Sequence, residues 1–257
     1  MNDLQTFVIN LDRSADRLAH IGSALDRLGL PWTRVTAVDG AALPQEDRTA
    51  YLDERAFQRQ HGMPSVPGEL GCYLSHVRAM QRFLDGTAQM ALILEDDVRL
   101  LPSLPQVLQA LQACAAHWDM VKVSGVHSGT PVRVRHLTGE HWLAVMLTRC
   151  TGASATLINR HAARRYVDQL LPMSLPYDHA YDKGWRFGLK VRMVTPWPAL
   201  HDDKVPTTIA QVQLPAGRSS RKFHWTRRLP AYMTRVRNEF RRAFYAIGQI
   251  IVERRVR

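Results

Sequence analysis

The stretch Met90-Ala-Leu-Ile-Leu-Glu-Asp-Asp-Val-Arg-Leu-Leu-Pro102 limits what this chain can become more than any other. An unbroken apolar run leads straight into Glu95, Asp96 and Asp97. Such a run reads as a strand covered on both faces, as parallel sheets require. Acids at its carboxyl end lie where open α/β sheets bind their ligands. Adjacent carboxylates repel one another and resist desolvation unless a cation sits among them. A hard divalent cation, its shell completed by substrate phosphates, is the usual answer. The competing reading is a solvated acidic turn, and the buried strand before it argues against that.

The flanking segments describe an α/β domain. Thr6–Leu11 reads as a first strand and Trp32–Val38 as a second, stopped by Asp39-Gly40. Between them Leu18, Ile21, Leu25 and Leu28 recur at helical spacing, with Ser14 as the expected N-cap and Gly29 as the stop. This opening implies a parallel pair joined by a right-handed crossover. Residues 41–67 carry Pro44, Pro64 and Pro67 and read as a loop with short helical pieces. Gly68–Leu84 reads as a helix with Leu70, Tyr73, Leu74, Val77, Met80 and Phe83 on its apolar face, and Cys72, Ser75 and His76 at the margin. Leu104–Cys114 is another amphipathic helix.

Trp118–Gly125 is a strand that Lys122 interrupts, and that lysine is expected to snorkel to the surface. Residues 126–141 form a hairpin or loop, Trp142–Leu147 and Gly152–Ile158 further strands, and Asn159–Leu171 a helix. A second acidic segment, Leu175–Asp182, precedes a late strand at Leu189–Thr195 and the run Pro196-Trp-Pro-Ala-Leu-His201. The expected architecture is a mostly parallel central sheet flanked by helices.

Charge divides the chain. Residues 218–257 hold twelve Lys and Arg against two acids, so nearly all of the net +11 belongs to them. Residues 1–217 are close to neutral and read as one catalytic domain. In the tail, Leu229, Tyr232/Met233, Val236, Phe240, Ala243/Phe244, Ile247 and Ile250/Ile251 recur at helical spacing among arginines. A basic amphipathic helix of this kind reads as binding an anionic membrane surface. The alternative is that its apolar face packs on the protein's own core. Basicity confined to a tail, with no zinc-finger or RNA-binding signature, argues against a nucleic-acid partner. Three scattered cysteines, Cys72, Cys114 and Cys150, exclude a disulfide framework and suit a reducing compartment. With no signal-peptide pattern visible, the expected location is cytoplasmic, on the inner face of the cytoplasmic membrane.

Several segments together resemble one family. Phe7-Val-Ile-Asn-Leu-Asp-Arg13 with Arg17, Ala37-Val-Asp-Gly40, Gly68-Glu-Leu-Gly-Cys-Tyr-Leu-Ser-His76 and Ile93-Leu-Glu-Asp-Asp-Val98 are similar, in order, to blocks of glycosyltransferase family 25. Later blocks fit at Trp118–Val123, Thr151–Arg160 and Pro176-Tyr-Asp178. The resemblance implies a GT-A type fold and inverting, cation-dependent transfer of a hexose, galactose in many members, from a UDP-sugar to a lipooligosaccharide, LPS or other glycan acceptor. The cation would be Mn²⁺ or Mg²⁺. Asp97 and Glu95 would lie at the cation, with Glu95 and Asp96 facing the nucleotide, and a leaving diphosphate needs just such a held Lewis acid.

His201, after the last core strand, would be a further ligand, or else a surface histidine. Asp178 would be the base that takes the acceptor proton, with Asp182 as fallback; its other reading is the N-cap of a helix over 179–187. Asn10, Arg13, Arg17 and Asp39 follow the first two strands, where the nucleotide is expected. Arg17 could equally pair with Asp12 or Asp16 on a helix surface. Ser75 and His76 would line the donor pocket, and Gly152 would let a sugar approach the backbone. A metal-dependent phosphohydrolase and a nucleic-acid-binding protein are the competing classes.

Overall fold

A computed structural model describes residues 3–127, 129–201 and 222–255. Strand β1 (Leu4–Asn10), helix α1 (Ala15–Arg27) and strand β2 (Trp32–Thr36) form the expected opening unit, with β1 and β2 parallel. Ser14 occupies the N-cap position of α1, but its side chain makes no capping bond. The segment after β2 holds two short helices, α2 (Gln45–Tyr51) and α3 (Glu54–His61), and Asp53 caps the second through Ala56 N. Helix α4 (Pro67–Asp85) leads to β3 (Met90–Glu95), β4 (Val98–Leu100) and α5 (Leu104–Ala113). Then come β5 (Met120–Lys122), the hairpin β6 (Pro131–Thr138) and β7 (His141–Met146), β8 (Ala155–Asn159) and α6 (Arg160–Gln169). Two single-turn helices, α7 (Tyr177–Ala180) and α8 (Gly184–Phe187), precede β9 (Val191–Thr195) and β10 (Ala199–His201). Helix α9 (Leu229–Arg255) closes the chain.

The central sheet runs β2-β1-β3-β8-β5-β9-β7-β6, and β4 pairs with β10 in a small ribbon beside it. Only β7 and β8 run against the other six strands, so the sheet is mostly parallel in direction. Side chains of β3 alternate between its faces. Ala91 and Ile93 pack with α4 and α6, while Leu92 and Leu94 pack with α1 and α5. Both faces are therefore covered, which is why the strand reads as one apolar run.

Lys122 corrects its expectation. It does not snorkel but is fully buried, its Nζ donating to Cys150 O at 3.0 Å and lying 5.1 Å from the Tyr181 ring centroid. A carbonyl and an aromatic face satisfy an ammonium that has no route to water.

Helix α9 docks on the domain with its polar side. Arg242 pairs with Asp182 at 3.0 Å, and Glu253 pairs with the buried Arg192 at 3.1 Å and with His117 at 2.8 Å. Tyr245 donates to Leu189 O at 2.6 Å. The apolar stripe points outward, with Met233 73% and Phe244 74% exposed. Most of that stripe does not pack on the protein's own core, while Ile250 and the neighbouring Ala246 do. Among the described residues no helix is long and apolar enough to cross a membrane. The boundary expected near Gly217 lies outside the described residues.

Candidate active site

The carboxyl ends of β1 and β3 open into a cavity of about 620 Å³. Asn10, Arg13, Arg17, Asp39, Ser75, Glu95, Asp96, Asp97, Gly152, Asp178 and His201 all line it. The antiparallel course of β8 explains the approach of Gly152. Ala155 at its start pairs with Leu94 near the end of β3, so the preceding turn rises beside the acids.

The three acids have different surroundings. Asp96 is consumed by the first βα unit, accepting from Asn10 Nδ2 at 2.6 Å and pairing with Arg17 Nη1 at 3.0 Å. Arg17 therefore reaches into the site through Asp96. Arg34 in turn donates to Asn10 Oδ1 at 3.2 Å and pairs with Asp12. This network pins the end of β3 to the end of β1.

Glu95 faces α4, with His76 Nε2 at 3.0 Å and Cys72 Sγ at 3.6 Å from its Oε1. Burial pushes the Glu95 carboxyl up, but His76, Cys72 and His201 outweigh it and hold the group below the ordinary carboxylate range. Asp97 goes the other way, to about 6, because it is buried and stands beside the negative Glu95. Its buried Oδ1 accepts no hydrogen bond among the described residues, and His201 Nδ1 lies 3.9 Å from it.

An orphaned carboxylate oxygen with an imidazole beside it suits a divalent cation. Among the described residues, the group whose donor atoms already converge is a different one, Cys72, His76 and Glu95. Its chemistry is wrong for a hard divalent cation. Burial and the neighbouring Glu95 push the Cys72 thiol well above its usual range, so it stays protonated, and hard cations prefer oxygen. Asp97 is the better anchor.

Two glycines bring separate sequence blocks together. A Cβ on Gly71 would lie 2.5 Å from Val38 O and 2.7 Å from Gly40 N, and one on Gly40 would sink into the carbonyl of Pro67. The loop after β2 therefore crosses α4 backbone on backbone. Ser75 locks the crossing, accepting from Val38 N at 2.8 Å and donating to Gly71 O at 2.6 Å. Its hydroxyl is thus spent on the scaffold, although the residue borders the cavity. Asp39 pairs with Arg13, which holds its carboxyl below the usual range despite the opposing effect of burial, and also accepts from Ala41 N.

On the opposite wall, Asp178 lies in the first turn of α7, where Pro176 is the N-cap. Asp178 is therefore not the N-cap of a helix over 179–187, which in fact breaks into α7 and α8. Its Oδ2 accepts from Gly152 N at 3.2 Å, and His179 Nε2 is 3.9 Å away. Gly152 has φ +91°, and a Cβ there would meet Val126 N at 2.8 Å, so the position demands glycine. Asp182 does not reach the cavity: it is buried and paired with Arg242 of α9, which removes it as a fallback base.

Sequence reasoning missed the support beneath. The His76 ring stacks on Tyr177 at 4.0 Å, and Tyr177 stacks on Tyr181 at 4.6 Å. This column ties α4 to α7 and fixes Glu95 relative to Asp178. Three aromatic rings scattered over a hundred residues carry no linear pattern that would announce it.

The sequence profile of glycosyltransferase family 25 (LPS biosynthesis protein) matches residues 3–181. A glycosyltransferase 25 family member of Anopheles gambiae is 26% identical over 211 residues, covering 75% of this chain and 35% of that protein. Procollagen galactosyltransferase 1 of Danio rerio is 31% identical over 131 residues, covering 46% of this chain and 21% of that protein. The matches thus span about a fifth to a third of those relatives' own length. A solved structure, A197 from STIV, superposes with a TM-score of 0.40 at 11% identity over 74% of this chain and 80% of that one, too distant to carry an argument. The profile match takes in every block that builds the cavity except His201, and on it the chain belongs to glycosyltransferase family 25.

Proposed function

We propose that the cavity binds a UDP-hexose and that the chain transfers the hexose, with inversion, to a hydroxyl of a glycan or glycolipid acceptor such as lipooligosaccharide or LPS. The observation that carries this reading is the orphaned Asp97 Oδ1 in a cavity whose other rim holds Arg13 and Arg17. A divalent cation, Mn²⁺ or Mg²⁺, held by Asp97 with Glu95 and His201 beside it would neutralise the charge that the UDP leaving group acquires. Asn10 and Arg17 keep Asp96 in place, and Asp39 and Arg13 border the end of the cavity where β1 and β2 deliver the nucleotide. Asp178 takes the acceptor's proton as its oxygen bonds to the anomeric carbon and the bond to the diphosphate breaks. The Gly152 N–H holds that carboxylate toward the cleft. Galactose is the first donor sugar to test, since relatives carry the name galactosyltransferase.

The test follows UDP release from UDP-galactose, UDP-glucose and UDP-N-acetylhexosamines, with and without Mn²⁺, and with and without a glycan acceptor. Acceptor-stimulated, cation-dependent release from one donor is expected. Rapid release without any acceptor would favour a phosphohydrolase, and no binding of any UDP-sugar would refute the reading.

Residues 1–217 form the catalytic unit in this proposal, and 218–257 its attachment to the inner face of the cytoplasmic membrane. The support is the outward apolar stripe of α9, which includes Met233, Phe240 and Phe244 and is flanked by the exposed Arg237, Arg241, Arg254 and Arg255. Apolar burial and anionic headgroups would act together, each arginine contributing about 1 kcal/mol. The full chain should sediment with phosphatidylglycerol vesicles, and Phe240→Glu with Phe244→Glu should abolish this. Undiminished sedimentation of that variant, or a preference for DNA over vesicles across a salt series, would remove the assignment.

A further inference from the structure

A second, much smaller cavity of about 30 Å³ lies between α9 and the segment that carries Asp178. It is lined by Arg149, Lys183, Arg235 and Arg242 together with His179, and Glu239 is the acid in its wall. Arg242 is committed to Asp182 at 3.0 Å and lies 3.9 Å from Glu239. Lys183 has no such partner. It is only 7% exposed, and among the described residues its ammonium makes no hydrogen bond or direct ion pair.

Burial drives the Lys183 amine down to about 8, with Asp182 opposing and Arg186, Arg242 and Arg237 adding to the fall. Arg235 is likewise held below its usual range by burial and by the charges of Arg149 and Arg228. A largely buried lysine without a bonded partner is costly even where its ammonium keeps some water, and mutually repelling cations around it raise the cost. Arg149, Lys183, Arg235 and Arg242 face one acid, Glu239, so the pocket carries surplus positive charge that a bound anion would offset. Its volume admits one small group and no sugar ring.

The position says where the anion comes from. His179 lines this cavity and stands 3.9 Å from Asp178 Oδ2, while Asp178 lines the large cavity. The two cavities are therefore bordered by consecutive residues of α7, the first of which is the proposed base.

We propose that the small cavity is an acceptor subsite that receives an oxyanion, a phosphate or carboxylate substituent of the acceptor glycan, on Lys183, Arg149 and Arg235. It rests on the reading of Asp178 as the group that meets the acceptor hydroxyl. The acceptor is then an anionic glycan, and its charged substituent sets which hydroxyl faces the donor. Charge-assisted contacts to arginine and lysine supply both the affinity and the orientation.

Inorganic phosphate is the first probe, titrated at constant ionic strength into the full chain already saturated with UDP and Mn²⁺, with binding read by calorimetry. Wild type should bind it, and Lys183→Met and Arg149→Gln should each weaken binding roughly tenfold or more. Arg149 is exposed, so its variant tests the site even if the buried substitution disturbs folding. Equal binding in wild type and both variants, or none at all, overturns the proposal.

The second probe is core oligosaccharide released from lipooligosaccharide, before and after phosphatase treatment. The untreated form should have the lower KM, and Lys183→Met should erase the difference. Equal KM values in wild type, or phosphatidylglycerol vesicles displacing the bound phosphate, would overturn the assignment to the acceptor. UDP binding in the first titration stands apart. Its absence would strike the glycosyltransferase reading, whereas phosphate failing to bind beside bound UDP strikes only the subsite.

Discussion

Lys183→Met should make the ligand-free protein more stable, although it removes a charged residue from a basic interface between α9 and the domain. The fall of the amine from 10.5 to about 8 corresponds to about 3 kcal/mol of stability withheld from the folded state while both states carry the proton. Methionine keeps most of the apolar stem and discards the ammonium. The groups facing the amine are Asp182, which favours its charge, and Arg186, Arg237 and Arg242, which oppose it, with His61, Arg149, His179, Arg235 and Glu239 in the cavity wall.

The sign follows from proton counting. Above about pH 8 the folded wild type loses the proton that the unfolded chain keeps until about 10.5, so wild type gains stability across that window. The variant has no such gain. Its advantage should therefore be full at pH 7 and gone near pH 10.5. Urea denaturation of both proteins at several pH values between 6.5 and 10.5 measures this directly. A variant less stable than wild type at pH 7, or an advantage independent of pH, would refute the reasoning. Phosphate should narrow the gap, because ligand bound to the folded state stabilises only the protein that keeps the site.

Other changes probe other parts of the argument. Asp178→Asn should keep the fold and UDP binding yet lower transfer roughly a hundredfold or more, as read by single-turnover assay; near-normal turnover would reassign the base. Arg242→Met leaves Asp182 buried without its cation and should cost about 3 kcal/mol, seen as a lower melting temperature and easier proteolysis of α9. Gly71→Ala forces the crossing beneath Asp39 apart and should cost about 1–3 kcal/mol and weaken UDP binding, whereas an unchanged melting temperature would show that the crossing yields freely.

Much of the site was legible in the chain because its chemistry is local. Glu95-Asp96-Asp97 follow a strand buried on both faces, and a period of consecutive apolar residues reports that burial without any partner being known. Asn10 and Asp39 were legible as polar residues at or just beyond strand ends, and Arg17 as a basic residue early in the helix that follows the first strand. Their division of labour was not. Asp96 is tied up by Asn10 and Arg17, while Asp97 is left with an orphaned oxygen, and nothing in three adjacent acids distinguishes them. The snorkelling lysine failed similarly, since only the packing of Tyr181 and the Cys150 carbonyl around Lys122 makes burial tolerable there.

Helix α9 marks the limit most clearly. Its amphipathic period is a property of the sequence, but a period has two faces and does not say which one docks. Hydrophobic burial alone would turn the apolar stripe inward, whereas a membrane-binding helix turns it outward. Tertiary structure turns the polar stripe inward, where Glu253 and Arg242 meet the buried Arg192 and Asp182 of the domain. The sequence by itself determined the acidic strand end, the βα framework and the family. The tertiary structure decided which carboxylate is free, which lysine is uncompensated and which face of the last helix meets the outside. Those choices depend on burying charge with its partner, and the partners lie far apart in the chain.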